Sequence, residues 1–204
     1  MMGVYEKYFL PKLLNMAMKS PELSKLRSQL VPMAQGKVLE VGIGSGLNLP
    51  FYQKGVQVTG VDPSIELQSY AQEIADEHRL AVEFLSQGCA NLPIEKDTFD
   101  TAVVTWSLCT IPNPVEALEE IRRVLKPNGK LVFIEHGKSN EAKIARLQKR
   151  INPIWRIIGG GCNLNRQPDE MINSNGFKLE TLTEGYIPGP KFATYNYRGI
   201  ASIA

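Results

Sequence analysis

Val38-Leu-Glu-Val-Gly-Ile-Gly-Ser-Gly-Leu-Asn-Leu-Pro-Phe-Tyr52 is the stretch that decides how this chain folds. Val38, Leu39 and Val41 read as a short buried strand, and glycines follow at 42, 44 and 46. A helix is expected to start near Asn48, within 47–53. Strand, glycine turn and helix start together bring backbone close to a ligand, because glycine turns without a side chain in the way. A dinucleotide fingerprint would place its third glycine at position 47, which is Leu47.

Glu40 stands two residues before the first of these glycines. Beside a pyrophosphate it would set two anions against each other in a site with little water. It suits a ligand that brings a cation, such as the ammonium and sulfonium of S-adenosylmethionine. That reading points to methyl transfer.

Outward from this turn, strands and helices alternate. Strands are expected at 37–42, 56–61, 81–85, 99–105 and 130–135, and helices at 47–53, 64–77, 113–125 and 139–150. Such alternation implies right-handed crossovers and an α/β, Rossmann-like, doubly wound and mostly parallel sheet. The tail differs. Pro168 and Gly176 bracket a helix at 168–175, and strand-like runs follow at 177–184 and 192–201. Gly185, Pro188, Gly189 and Pro190 make the stretch between them a loop. The two runs therefore pair as an antiparallel edge hairpin and complete a seven-stranded sheet.

Residues 1–35 read as an N-terminal helical cap on a single domain, 36–204. Tyr5, Phe9, Leu13, Leu14 and Met18 follow the helical period, and Pro21 opens a second helix carrying Leu23, Leu26 and Leu30. Lys7, Lys12 and Lys19 interrupt the first stripe, which suits a core-facing helix, a lid or a membrane-surface helix.

A chain of 204 residues with 43% hydrophobic and 22% charged residues has the composition of one ordinary globular domain. A net charge of +2 gives no case for nucleic acid as a partner. Basic residues thicken between Lys138 and Arg156, which reads as a solvated helix face. The three cysteines, 89, 109 and 162, form no C-x-x-C pair. That argues against a disulfide framework or a zinc knuckle and for a reducing compartment, so no metal is expected and the cytoplasm is the expected location. No secretory signal is visible and no window approaches eighteen apolar residues.

In an open parallel sheet the ligand lies beyond the carboxyl ends of the strands. Asp62 ends the second strand, followed by Pro63, and a carboxylate there can accept from both hydroxyls of a ribose. The bland alternative for Asp62 is a helix N-cap. Gln87-Gly-Cys-Ala-Asn91 follows the third strand and suits the flanks of an adenine ring. After the fourth strand come Thr105-Trp106-Ser107-Leu108-Cys109-Thr110, and the fifth ends in Glu135-His136-Gly137. A later loop reads Gly159-Gly-Gly-Cys162-Asn163-Leu-Asn165-Arg166.

With these runs the chain resembles the class I S-adenosylmethionine-dependent methyltransferases over nearly its whole length. Asn91-Leu-Pro93, Asp97-Thr-Phe-Asp100 and the run from Ala117 to Gly129 (ALEEIRRVLKPNG) are similar to the quinone-biosynthesis C-methyltransferases. Ser107-Leu-Cys-Thr110, Glu135-His136 and Gly161-Cys-Asn-Leu-Asn-Arg166 resemble a subgroup that includes the mammalian alkyl-thiol methyltransferases. The resemblance implies S-adenosylmethionine as cofactor. Glu40, Gly42 and Gly44 would border its amino-acid end, with Gly46 and Asn48 in the same turn. Asp62 and Pro63 would lie at the ribose and Gly88, Cys89 and Ala90 at the adenine. Thr105 and Trp106 would meet the methionine part through backbone. Many members place an acid near the adenine amino group, where this chain has Gly88 or Cys89, so recognition there falls to a backbone carbonyl or Asn91.

Methyl transfer is an in-line displacement in which positioning supplies much of the rate. A thiol, with a pKa near 8.5, is partly ionised already, whereas an alcohol or amine needs more help. His136 is the candidate general base, against a structural histidine as the alternative; His78, at a helix end, reads as surface. Asn163 and Arg166 suit orienting a substrate or, equally, stabilising their loop. Cys109 and Cys162 suit small apolar linings of an acceptor pocket. Ile154-Trp155-Arg-Ile-Ile158 reads as a cover over the site or as helix packing. The expected reaction is methyl transfer to a small-molecule acceptor, an apolar one suited and a thiol favoured, with a lipid or quinone as the alternative. From other classes, a nicotinamide-dependent oxidoreductase would have to contend with Leu47 and Glu40, and a non-catalytic cofactor-binding protein with His136 and the Cys162–Arg166 loop lining an open acceptor cavity.

Overall fold

The β-branched and apolar runs after Gly36 are too short for helices and are closed by turn residues, and they form strands. The computed structural model of the chain describes residues 15–204. Its elements are α1 (Pro21–Leu30), β1 (Lys37–Val41), β2 (Gln57–Val61), α2 (Ile65–His78), β3 (Val82–Leu85), β4 (Phe99–Thr105), α3 (Pro114–Val124) and β5 (Leu125–His136). They continue with α4 (Ala142–Ile158), α5 (Pro168–Ser174), β6 (Phe177–Tyr186), α6 (Lys191–Thr194) and β7 (Tyr195–Ile203). Helix ends follow local chemistry. The Ser64 hydroxyl accepts from Leu67 N at 3.2 Å to open α2, and Arg79 closes it in the left-handed region. Pro114 sits at the start of α3, behind the Asn113 side chain that accepts from Glu116 N.

The seven strands lie in the order β3-β2-β1-β4-β5-β7-β6. Neighbours are parallel from β3 through β5, and β7 alone runs against the rest. The order reverses between β1 and β4, which puts the crevice for a ligand above their carboxyl ends. Alternate residues face opposite layers. Val38, Val103 and Val132 pack with Ala71 and Ala75 of α2 and with Val31 and Ala34 after α1. Leu39, Ala102, Val104, Leu131 and Phe133 pack with Leu118 and Ile121 of α3 and Ile172 of α5. Phe133 and Leu131 are fully buried, and each such side chain contributes about 1.5–3 kcal/mol of transfer free energy.

The elements of the structure differ from the sequence reading in some places and match it in others. No α-helix forms over 47–53: only a 3-10 turn, Leu49–Phe51, follows the glycines. Pro50 lacks an N–H, and Tyr52 leaves the turn extended (φ −68°, ψ 143°) so that its hydroxyl reaches Glu40. The antiparallel hairpin of β6 and β7 stands at the sheet edge as expected, with β7 between β5 and β6. The start of β7 is delayed to Tyr195 by the one-turn helix α6. Helix α4 runs past the basic segment to Ile158 and takes the Ile154–Ile158 tract into its last turns. The stripe Tyr5, Phe9, Leu13 and Leu14 falls outside the described residues. No helix among the described residues is long and apolar enough to cross a membrane.

Candidate active site

The three glycines after β1 all take left-handed backbone, with φ of 72°, 52° and 76° at 42, 44 and 46. They differ in what a side chain would meet. A Cβ at Gly42 would come within 2.1 Å of Ser107 Oγ, and one at Gly46 within 2.8 Å of Ala71 Cα. At Gly44 the nearest atom is Gly42 O, 3.9 Å away. Two of the glycines therefore permit packing, and the middle one leaves open space.

Asp62, at the end of β2, is bound into this turn. Its Oδ2 accepts from Gly44 N at 3.0 Å and its Oδ1 from Ser64 N at 2.8 Å. Ser64, not Asp62, caps α2. Burial raises the Asp62 pKa against those two backbone bonds. Gln68 ties the ends of β2 and β3, donating to Asp62 O at 2.8 Å and Leu85 O at 3.1 Å. Pro63, Gly88 and Ala90 are exposed beside these strand ends. Cys89 turns inward, 3.9 Å from Ala117 O, and burial pushes its thiol up to about 12. It is a core residue in this structure, which departs from its expected place beside adenine.

Glu40 lies under the turn, closed from solvent. Its Oε1 accepts from Asn48 Nδ2 at 2.9 Å and its Oε2 from the Tyr52 hydroxyl at 2.8 Å. Burial lifts its pKa to about 7, although Tyr52, Asn48 and the positive charge of Arg27 all favour the carboxylate. Asn48 Nδ2 also reaches Thr105 Oγ1 at 2.9 Å and so joins the ends of β1 and β4. Arg27, on α1, is buried; its Nη1 donates to Met18 O at 2.8 Å and its guanidinium carbon lies 4.8 Å over the Trp106 ring. Desolvation lowers the Arg27 pKa to about 10 against the pull of Glu40. Two polar atoms of this group, Arg27 Nε and Asn48 Oδ1, are buried with no hydrogen-bond partner among the described residues.

Trp106 follows β4 with φ at +50°, a backbone that a bulky side chain adopts only under constraint. Its amide donates to Ile134 O at 2.7 Å and its indole N–H to Asn196 Oδ1 at 3.0 Å. The loop beyond it is held by Glu135, whose Oε1 accepts from Ser107 N at 2.7 Å and Leu108 N at 3.0 Å. Burial raises the Glu135 pKa to about 7 despite those donors.

Next to this loop the structure brings Cys109, His136 and Cys162 together. His136 Nε2 lies 3.0 Å from Cys162 Sγ, and the Trp155 indole N–H donates to the same sulfur at 3.3 Å. Burial opposes charge on the imidazole, but Cys162 and Glu135 outweigh it and hold the pKa above its ordinary value. Asn163 and Arg166 point elsewhere. Asn163 donates from Nδ2 to Cys109 O and Gly161 O, both at 2.9 Å. Arg166 Nη1 donates to Leu108 O and to Ile111 O, the latter at 2.8 Å. Both side chains tie the 159–166 loop to the loop after β4. Ile154 and Ile157, at the end of α4, are 67% and 74% exposed, while Trp155 packs edge-on against Phe192 at 5.6 Å.

Sequence reasoning passed over Arg27, Tyr52 and Gln68. Arg27 did carry a signal: it sits four residues after Leu23 and three before Leu30, on the apolar stripe of α1. A cavity of about 540 Å³ at the opposite ends of the strands, bordered by Lys37, Gln57, Thr59 and Glu83, gathers none of these groups.

The methyltransferase domain family matches residues 39–133, from β1 to β5. The thiol S-methyltransferase TMT1B of Rattus norvegicus is 35% identical over 134 residues, 64% of this chain and 55% of that protein. The human thiol S-methyltransferase TMT1A is 33% identical over 79% of this chain and 68% of its own length. The chain thus spans little more than half of the first of these relatives. Among solved structures, a SAM-dependent methyltransferase from Thermotoga maritima superposes with a TM-score of 0.70 at 17% identity, covering 97% of this chain and 99% of that one.

Proposed function

Because the chain belongs to the class I S-adenosylmethionine-dependent methyltransferases, we propose that it moves a methyl group to a small-molecule acceptor, with a thiol preferred. The observation that carries this reading is the turn at Gly44. It is open where its two neighbouring glycines are packed shut, and it stands between Asp62 and the buried group of Glu40, Asn48 and Arg27.

These residues fit the cofactor of the family. An unsatisfied donor, Arg27 Nε, and an unsatisfied acceptor, Asn48 Oδ1, suit the carboxylate and ammonium of an amino acid. Glu40, with a pKa near neutrality, favours a cationic neighbour over an anionic one. Asp62 would hold the ribose, the backbone around Gly88 and Ala90 the adenine, and Thr105 and Trp106 the methionine part. Bound there, S-adenosylmethionine supplies an electrophilic methyl on a sulfonium sulfur. The chain's own residues orient and shield: Arg27 over Trp106 closes one side, and Asn48 locks the β1 turn to β4. His136 would take or hold the acceptor's proton at Nε2, next to Cys109 and Cys162. Asn163 and Arg166 are positioning residues that fix the two loops around it.

The thiol preference is supported by relatives named for it and by the sulfur-rich, partly apolar surroundings of His136. The exposed isoleucines ending α4 favour an apolar acceptor and, as a second reading, a lipid. Three free cysteines support a reducing compartment, the cytoplasm. The test is an assay with S-adenosylmethionine and a panel of thiols, amines, phenols and phospholipid vesicles, reading S-adenosylhomocysteine and methylated product. Turnover on thiols supports the reading. Turnover confined to amines or lipids overturns the preference, and failure to bind S-adenosylhomocysteine overturns the whole.

A further inference from the structure

Cys109, His136 and Cys162 are separated by 27 and 26 residues in sequence, yet two loops and the end of β5 bring one ligand atom from each within 4.8 Å of the others. We propose that this trio is a zinc site, two cysteine sulfurs and one imidazole, with the fourth position open toward the acceptor.

Two thiolates and an imidazole form a soft donor set that selects zinc over the hard cations. Zinc binds sulfur at about 2.3 Å and imidazole nitrogen at about 2.0–2.1 Å, so ligands around one tetrahedral ion stand roughly 3.5–4 Å apart. The observed cluster reaches that arrangement by side-chain rotation, opening the 3.0 Å contact of His136 Nε2 with Cys162 Sγ by about half an ångström. The surroundings fit a metal thiolate. The Trp155 indole is a donor only, and it aims its N–H at Cys162 Sγ from 3.3 Å, as groups around a metal site aim at its ligands. The loops are already fixed: Asn163 donates from both its amide N and Nδ2 to Cys109 O at 2.9 Å. Preorganised loops of this kind are what a site of fixed geometry needs. No C-x-x-C pair exists in the sequence; the set is made by tertiary structure alone.

On loading, the two cysteine S–H bonds break, both protons leave to solvent, and the imidazole gives its Nε2 lone pair. The proton-accepting role of His136 Nε2 therefore belongs to the metal-free chain, and in the loaded chain the acceptor's proton goes to solvent. Three protein ligands plus one exchangeable position is the pattern of a catalytic zinc, whereas structural sites close with four protein ligands. The fourth position suits an acceptor thiol, which would lose its S–H proton to solvent and bind as thiolate at neutral pH. That use rests on the thiol reading above; the metal site itself does not.

The test is titration of the reduced, metal-stripped full chain with cobalt(II) as spectroscopic probe and zinc(II) as competitor. The expected result is one ion per chain, with thiolate-to-cobalt charge-transfer bands and the intense visible bands of a tetrahedral site, erased by zinc. Cys109→Ser and Cys162→Ser should each abolish those bands. Trp155→Phe, which keeps every ligand and removes only the outer N–H, should weaken binding by roughly 10–100-fold. S-adenosylhomocysteine binding by the same samples reports that the variants are folded. A wild-type chain without stoichiometric cobalt binding, or folded serine variants that keep the spectrum, overturns the site. Addition of a small thiol should then shift the visible bands. An unchanged spectrum overturns the fourth-ligand role and leaves the metal site standing, whatever the methyl-transfer assay reports.

Discussion

Glu40→Gln should change how stability depends on pH. The Glu40 carboxyl is fully buried, and its pKa is raised from 4.5 to about 7, chiefly by desolvation. The folded chain therefore holds a proton here that the unfolded chain has released once the pH exceeds about 4.5. Stability from this group is full below the unfolded pKa, falls as pH rises through the window from about 4.5 to about 7, and is lost above it. At about 1.4 kcal/mol per pH unit, the loss between pH 5 and pH 8 comes to about 2–3 kcal/mol. Glutamine keeps the shape but cannot titrate, so its curve lacks this term. Urea unfolding of both proteins from pH 5 to pH 8 measures the difference. The stability of Glu40→Gln relative to the wild type should rise by about 2–3 kcal/mol across that range. Glu135, whose pKa is also raised to about 7, contributes equally to both proteins and cancels. Parallel curves, or a wild type that gains on the variant as pH rises, would refute the argument that Glu40 is a desolvated carboxylate held against its preference.

The three turn glycines should separate by experiment. Gly42→Ala and Gly46→Ala force overlaps with Ser107 and Ala71 and should lower unfolding free energy by about 2–4 kcal/mol. Gly44→Ala should cost only about 1–2 kcal/mol of backbone strain while weakening S-adenosylhomocysteine binding at least tenfold by calorimetry; the opposite ranking would show that Gly44 is not the ligand-facing position. Asp62→Ala should weaken that binding by about 1.5–3 kcal/mol, the scale of lost charge-assisted bonds, and unchanged affinity would reject the ribose assignment. Arg27→Met keeps the apolar stem over Trp106 but removes the charge, so S-adenosylhomocysteine affinity should fall by about 1.5–3 kcal/mol; equal affinity would exclude a carboxylate contact.

Legibility in the sequence tracked how local each signal was. Val38 to Gly46 announced a strand and a glycine turn because apolar alternation and glycine clustering act through neighbouring residues. The same holds for Pro114 behind Asn113 and for the antiparallel pairing after Gly185. The expected helix at 47–53 failed because Tyr52 is drawn into an extended exit, with its hydroxyl on a buried carboxylate twelve residues away. Asn163 and Arg166 looked available in sequence, but their donors are taken up by carbonyls of the loop after β4, more than fifty residues distant.

By itself, then, the chain determined an alternating α/β sheet, with a glycine turn at the point where the strand order reverses between β1 and β4. These follow from periodicity and backbone freedom, which are properties of short segments. Tertiary structure alone decided which polar groups face one another: Arg27 over Trp106, Glu40 between Asn48 and Tyr52, and the meeting of Cys109, His136 and Cys162. Those meetings depend on how β5 registers between β4 and β7 and on how two loops are pinned together beside its end, and no short segment encodes either.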